Sequence, residues 1–253
     1  MDNYERLKKN FLLVGLDEEF NLRSIFTDVA GIFYYYNTVK IVEFSMSELD
    51  DKILIFLKKL LEDNLFEISG NIEGIELKNL SVEDVLLKIK FVMENDRDSD
   101  IFSSIYFNLT ERGKEEAKKY LLQMINVKEK ILINGSKSCQ NLKDIFDITK
   151  QEFKTNDLED IQYESINAVC FLLQNKFIEV GELKGNYNFT AWSYTAYDYY
   201  KHLKSELSNI GKESKNIEIS WFKNIHPTDI LIDKWKECGG RLVNKWYDLI
   251  DNR

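Results

Sequence analysis

Apolar residues run along this chain at three- and four-residue steps, broken by short runs without that spacing, and the order of these segments occurs twice. In the first half, Leu22, Ile25, Phe26, Val29 and Phe33 share one face of a helix predicted over residues 20–33, which Tyr34-Tyr35-Tyr36-Asn37 ends or turns. A second helix is predicted over 47–63, with Ser47 as N-cap and Leu49, Ile53, Phe56, Leu57, Leu60 and Leu61 on one face. Residues 65–68 follow as a short strand, and Ser81 caps a helix through Val92, with Asp84 as its capping-box partner. Residues 104–109 read as a strand that pairs with 65–68, and Thr110 caps a closing helix to about Met124.

The second half repeats the order. Helices are predicted over 142–153 and 157–175, and a strand over 177–183 is joined through Gly185-Asn186 to a hairpin partner at 187–190. Ser193 then caps a helix through Tyr197, Tyr200 and Leu203 to about Leu207. Residues 217–222 read as a strand and 230–232 as another, and Gly239-Gly240 interrupts a helical stretch that resumes at Arg241 and ends near Ile250.

Residue by residue, Leu60-Leu61 and Asn64-Leu65-Phe66-Glu67-Ile68 recur as Leu172-Leu173 and Lys176-Phe177-Ile178-Glu179-Val180. Leu80-Ser81 maps onto Trp192-Ser193 at the same shift, and Asn21-Leu22-Arg23 with Ile25-Phe26 matches Asn141-Leu142-Lys143 with Ile145-Phe146. A fourth block sets Leu109-Thr110-Glu111-Arg112-Gly113 against Trp235-Lys236-Glu237-Cys238-Gly239. Four blocks in one order argue for a duplicated unit. The expected fold is therefore α+β and helix-rich: two related units over 1–130 and 131–253, each with helices and a small antiparallel sheet. The single proline, Pro227, argues against a flexible linker, and Asn134-Gly135-Ser136 is the best turn signal between the copies.

Composition narrows the function classes. The chain has 253 residues, 44% hydrophobic and 30% charged, which is a globular balance. No apolar run reaches the length of a membrane span and the start lacks a secretory apolar core, so a cytoplasmic protein without membrane contact is expected. The three cysteines, Cys139, Cys170 and Cys238, have neither disulfide-framework nor zinc spacing, and Cys170 in an apolar run reads as a small buried hydrophobe. His202 and His226 have no carboxylate or cysteine beside them at ligand spacing, and the eleven glycines are dispersed. No cofactor, metal or catalytic group is expected. Charge is uneven: residues 1–126 carry 24 acids against 16 bases, and the remainder 19 against 18. The acidic field of the first copy repels nucleic acid and attracts basic partners.

The order helix, helix, strand, strand, then Leu109-Thr110-Glu111-Arg112-Gly113-Lys114 opening a helix, resembles the winged-helix family, in which the segment like 60–68 ends the recognition helix and starts the wing. Here the helix from Ser81 expands the wing. Lys52, Lys58 and Lys59 are offset by Asp51, Glu62 and Asp63, and the matching helix carries Asp157, Glu159, Asp160 and Glu164, which weighs against a duplex. The second half also has the layout Leu172-Leu173-x-x-x-Phe177-Ile178-Glu179-Val180-Gly181, then Phe189-x-x-Trp192-Ser193, a helix, and Trp235-Lys236-x-Cys238-Gly239. This resembles small bacterial immunity proteins encoded beside polymorphic or contact-dependent growth-inhibition toxins, which implies binding of a cognate toxin and no reaction.

Two features are candidates for that contact. Glu94, Asp96, Asp98 and Asp100 form an acidic loop suited to a basic partner such as a nuclease. The cluster Trp192, Tyr194, Tyr197, Tyr199 and Tyr200 is the other: positions 197 and 200 are expected in the core, and Tyr194 and Tyr199 on the surface as anchors. The four tryptophans are expected to be core residues. The function expected is toxin neutralisation by occlusion, with a winged-helix DNA-binding regulator as the alternative and an enzyme of unrecognised type as a third possibility.

Overall fold

The computed structural model describes residues 3–17, 19–27, 46–95, 100–184, 188–209, 220–226 and 228–240. It divides into two compact units, Met1–Leu121 and Leu122–Arg253. The fold is helix-rich α+β with small antiparallel sheets, as expected. Among the described residues no helix is long and apolar enough to cross a membrane.

Unit 1 runs α1 (Asn3–Val14), β1 (Phe20–Asn21), α2 (residues 22–27), α3 (Met46–Glu62) and β2 (Phe66–Ser69). A small hairpin of β3 (Asn71–Ile72) and β4 (Ile75–Glu76) follows, then a 3-10 turn at Leu77–Asn79, α4 (Val82–Asn95), α5 (Ile101–Ser104), β5 (Tyr106–Leu109) and the start of α6 (Glu111–Gly135). Its main sheet has the order β1-β5-β2. Unit 2 takes the rest of α6, then β6 (Gln140–Asn141), α7 (Leu142–Phe153), α8 (Leu158–Gln174), β7 (Ile178–Lys184), β8 (Asn188–Ala191), α9 (Ala196–Asn209), β9 (Trp221–Asn224) and α10 (Thr228–Glu237). Its sheet order is β6-β9-β7-β8.

The two units correspond down to single hydrogen bonds. In unit 1 the register pairs Phe20 with Phe107, Ile68 with Phe107 and Phe66 with Leu109; in unit 2 it pairs Gln140 with Phe222, Val180 with Phe222 and Ile178 with Asn224. Phe107 and Phe222 are thus the same central position, fully buried in both sheets. Helices α3 and α8 end alike. Asn64 (φ 52°) and Lys176 (φ 57°) take the left-handed conformation. The next amides, of Leu65 and Phe177, donate to Leu60 O and Leu172 O, while those of Asn64 and Lys176 donate to Leu61 O and Leu173 O. This is the Schellman arrangement made without glycine, at a cost of about 1 kcal/mol per turn. Leu65 and Phe177 deliver apolar side chains straight into the cores. Each sheet then begins under the same clamp: the amides of Thr110 and Ile225 donate to Leu65 O and Phe177 O.

Several expectations change. Helix α1 was not foreseen, yet Leu7, Phe11 and Leu12 are buried on it just as Val127, Ile131 and Leu132 are on α6, and Gly15 and Gly135 close both segments. The closing helix does not stop near Met124; α6 continues to Gly135 and supplies this opening segment of unit 2. The run Ile230–Ile232 is helical, because Leu231 and Ile232 point with Trp235 into the core while Ile230 stays exposed. The helix read over 20–33 begins with strand β1, and its residues beyond 27 lie outside the described residues, as do the turns at 34–37 and 185–186, part of the strand read over 217–222, Pro227 and the helix from Arg241. Ser47 sits inside α3 rather than before it. The helix near Ser193 is capped by Thr195, whose Oγ1 accepts from the Asp198 amide and donates to Asp198 Oδ2, as Ser81 does with Asp84. Gly113 and Gly239 are not counterparts: Gly113 lies in the first turn of α6, whereas Gly239 (φ 79°) ends α10.

Unit 2 also buries charge. Lys128 and Glu164 are 9% and 3% exposed. Burial holds the Lys128 amine below the ordinary lysine range, and the Glu164 charge pulls it part of the way back. Its Nζ lies 3.9 Å from the centre of the Phe171 ring.

Two predictions follow from this packing. A methyl group at Gly113 would meet Leu65 O and sit 2.8 Å from Leu109 Cδ2. Gly113→Ala is therefore expected to cost about 2–4 kcal/mol in urea unfolding, because backbone must move to admit it. The unfolded chain keeps the Lys128 proton to higher pH than the folded one. Unfolding free energy of the unsubstituted protein should therefore rise as pH climbs from the lowered folded value towards about 10.4, a rise that Lys128→Met lacks.

Candidate protein-binding surfaces

In unit 2 the end of α8, strand β7 and the segment leading into α9 enclose an open groove of about 620 Å3. Leu173, Ile178 and Val180 form its floor side, and Trp192, Tyr194, Tyr197 and Ile225 its outer lining, with Lys176 and Glu179 as charged members. The groove lies where the chain runs from Trp192 to Thr195 without helix or strand before α9 begins. The Trp192 amide ties this segment down by donating to Val180 O. Trp192, Tyr194 and His202 pack as a ring cluster, with centroids 5.3 to 5.7 Å apart. His202 is consequently half-buried rather than a solvated helix residue.

The tyrosines separate clearly. Tyr194 is 43% exposed and Tyr197 63% exposed. Lys201 Nζ lies 4.2 Å above the Tyr197 ring. Tyr199 corrects its expected place: it is fully buried, its ring edge-on to Phe222, and its hydroxyl shares a 2.6 Å hydrogen bond with Ser220. Burial pushes that phenol far above its ordinary range. Tyr199 is a core residue and no anchor, and Tyr197, expected inside, takes the outer position. The cause is phase: with Thr195 as cap, Tyr199 and Leu203 fall where Val85 and Ile89 fall after Ser81, and all four are buried. Trp235 is a core residue whose Nε1 donates to Glu129, whereas Trp192 and Trp221 are half-buried, and Trp246 lies outside the described residues.

Of the acidic loop in unit 1, Glu94 is exposed on the last turn of α4 and Asp100 is exposed before α5; Asp96 and Asp98 lie outside the described residues. Glu94 also lines a cleft of about 480 Å3 with Ser47, Asp50, Asp51, Lys90 and Met93. Lys90 Nζ sits 3.9 Å from Glu94, a surface pair worth little by itself. Glu94 and Asp100 belong to unit 1 and Tyr194 to unit 2. Among the described residues no group of three or more His, Cys, Asp or Glu side chains is placed to hold a metal ion. His226 Nε2 lies 2.9 Å from Lys234 Nζ. Ile225 and Tyr197, which complete the groove, were outside the expected anchors; an exposed isoleucine next to His226 carries no signal in a linear sequence.

No protein-family model matches the chain, and no curated protein or solved structure matches it either.

The cysteines give a direct test of this surface map. Cys170 is half-buried, its thiol 3.7 Å from Ala196 O, and burial pushes it up to about 11; Cys238 is exposed. Iodoacetamide at neutral pH should alkylate Cys238 at least about tenfold faster than Cys170, since the thiolate is the reacting form. Peptide mass mapping over time checks it.

Proposed function

We propose that the chain is a binding protein of two winged-helix-like units that neutralises a cognate bacterial toxin domain by covering its active site or substrate surface. The observation that carries this reading is the apolar groove of unit 2, open to solvent and edged by Tyr194, Tyr197 and Ile225. Large rings held by a tied segment contribute contact area with little loss of side-chain freedom, which is the usual make-up of a protein-binding hot spot. The acidic excess of the first half would draw a basic partner in and raise the rate of encounter.

The winged-helix part of the proposal is supported by element order. Each unit has a helix, a short strand, two helices, a strand, an insertion, a strand paired between the first two, and a closing helix. Duplex binding by the third helix of each unit is disfavoured by charge. Helix α8 contains no lysine or arginine. On α3, Lys58 pairs with Glu62 at 3.6 Å and Lys59 lies 4.4 Å from the Tyr4 ring centre, so neither is poised to replace counterions on phosphate.

The test is co-expression with the toxin domain encoded beside this chain's gene, followed by gel filtration of the mixed proteins. Relief of toxicity and a stable complex at micromolar concentration are expected, and Tyr194→Ala/Tyr197→Ala should weaken the complex by about tenfold or more while changing the unfolding free energy by no more than about 0.5 kcal/mol. Persistent toxicity with no complex would refute the proposal.

A further inference from the structure

Helix α4 of unit 1 presents a second apolar surface. Leu87 and Phe91, one turn apart, are 66% and 52% exposed, while Val85, Ile89, Val92 and Met93 on the other side of the helix are buried in the core. A helix in a small unit needs only that inner stripe to fold. The duplication supplies an internal comparison. Helices α4 and α9 carry the same cap and bury corresponding residues, Val85 and Ile89 against Tyr199 and Leu203. In that alignment the places of Leu87 and Phe91 are held by Lys201 and Ser205. The scaffold therefore accepts polar residues at both positions, and the apolar pair is not a requirement of the fold.

The surroundings of the pair are acidic. On the same helix the acids Glu83, Asp84 and Glu94 outnumber the bases Lys88 and Lys90, and the cleft that includes Asp50, Asp51 and Glu94 opens at the end of α4 nearest Phe91. Lys90 is the one base lining that cleft. Unit 1 as a whole has 24 acids against 16 bases. We propose that this face of α4 docks a cationic amphipathic helix of a partner protein: two apolar side chains seat on Leu87 and Phe91, and a lysine or arginine of the same segment enters the cleft between Asp50, Asp51 and Glu94. Apolar anchors beside charged neighbours are how a groove selects such a helix, and the charge of the unit favours this occupant over a second copy of the chain. This surface lies on unit 1, the groove on unit 2.

The probe is a fluorescein-labelled synthetic 18-residue helix with leucine at i, i+3, i+4 and i+7 spacing and lysine elsewhere, titrated with the full chain and followed by anisotropy. A leucine/glutamate peptide of the same pattern and a serine/lysine peptide without the stripe are the controls. Only the leucine/lysine peptide should bind well. Leu87→Lys/Phe91→Ser, which installs the residues of the sister helix, should weaken it by about tenfold or more, and Asp51→Asn/Glu94→Gln should weaken it several-fold and flatten its salt dependence. Tyr194→Ala/Tyr197→Ala should leave it unchanged, so this proposal and the toxin reading fail separately. Equal binding by Leu87→Lys/Phe91→Ser, with its circular dichroism intact, overturns the proposal. So does a self-associated dimer in sedimentation that the same substitution dissolves.

Discussion

Everything in each unit depends on one turn, the left-handed exit at Asn64 or Lys176 that carries a buried helix directly into the edge of a buried strand. The exit leaves the chain no slack. Buried Leu60 and Leu65, like Leu172 and Phe177, are held five residues apart by one hydrogen bond, so the helix face and the residue leading into the strand must be filled together. Strands this short have few hydrogen bonds to set their register, and a slip of one residue would turn Phe66 and Ile68 outward. The turn removes that freedom. It also orients the carbonyls of Leu65 and Phe177, which receive the amides of Thr110 and Ile225 and so fix the point where the central strand must end.

Given that frame, surfaces can diverge without disturbing the fold. Leu87 and Phe91 are exposed on α4, and the cap alignment sets Lys201 and Ser205 of α9 against them in the sequence. The extended entry to that helix carries Trp192 and Tyr194 in unit 2, while unit 1 has the short hairpin and 3-10 turn ending at Leu80. Among the described residues the apolar clusters of the two units share no residue, so each core is filled by its own unit.

Most of this frame was legible in the sequence, because helices α3, α4, α7 and α8 bury clean three- and four-residue stripes and because the segment 60–68 kept its pattern in 172–180. What was lost was lost for definable reasons. Helix α1 has three deeply buried residues, Leu7, Phe11 and Leu12, too few to show a period, and only alignment with 127–135 exposes it. The run at 230–232 is three aliphatic residues in a row, and periodicity cannot tell a strand from a helix over that length. Tyr199 was misplaced because serine at 193 and threonine at 195 are equally good caps in a linear reading, and a two-residue error rotates a helix by about 200°, enough to exchange its inner and outer faces. The groove residues Tyr197 and Ile225 come from separate elements, and no sequence pattern links them.

Leu109 and Asn224 hold the same place in the two sheets, each against the glycine that closes the opening helix, Gly15 or Gly135. One fills the gap with methyl groups; the other fills it with an amide whose Nδ2 donates to Leu132 O. Either plug suits only its own surroundings, so a chimaera that exchanged this strand between the halves would bury a mismatched group.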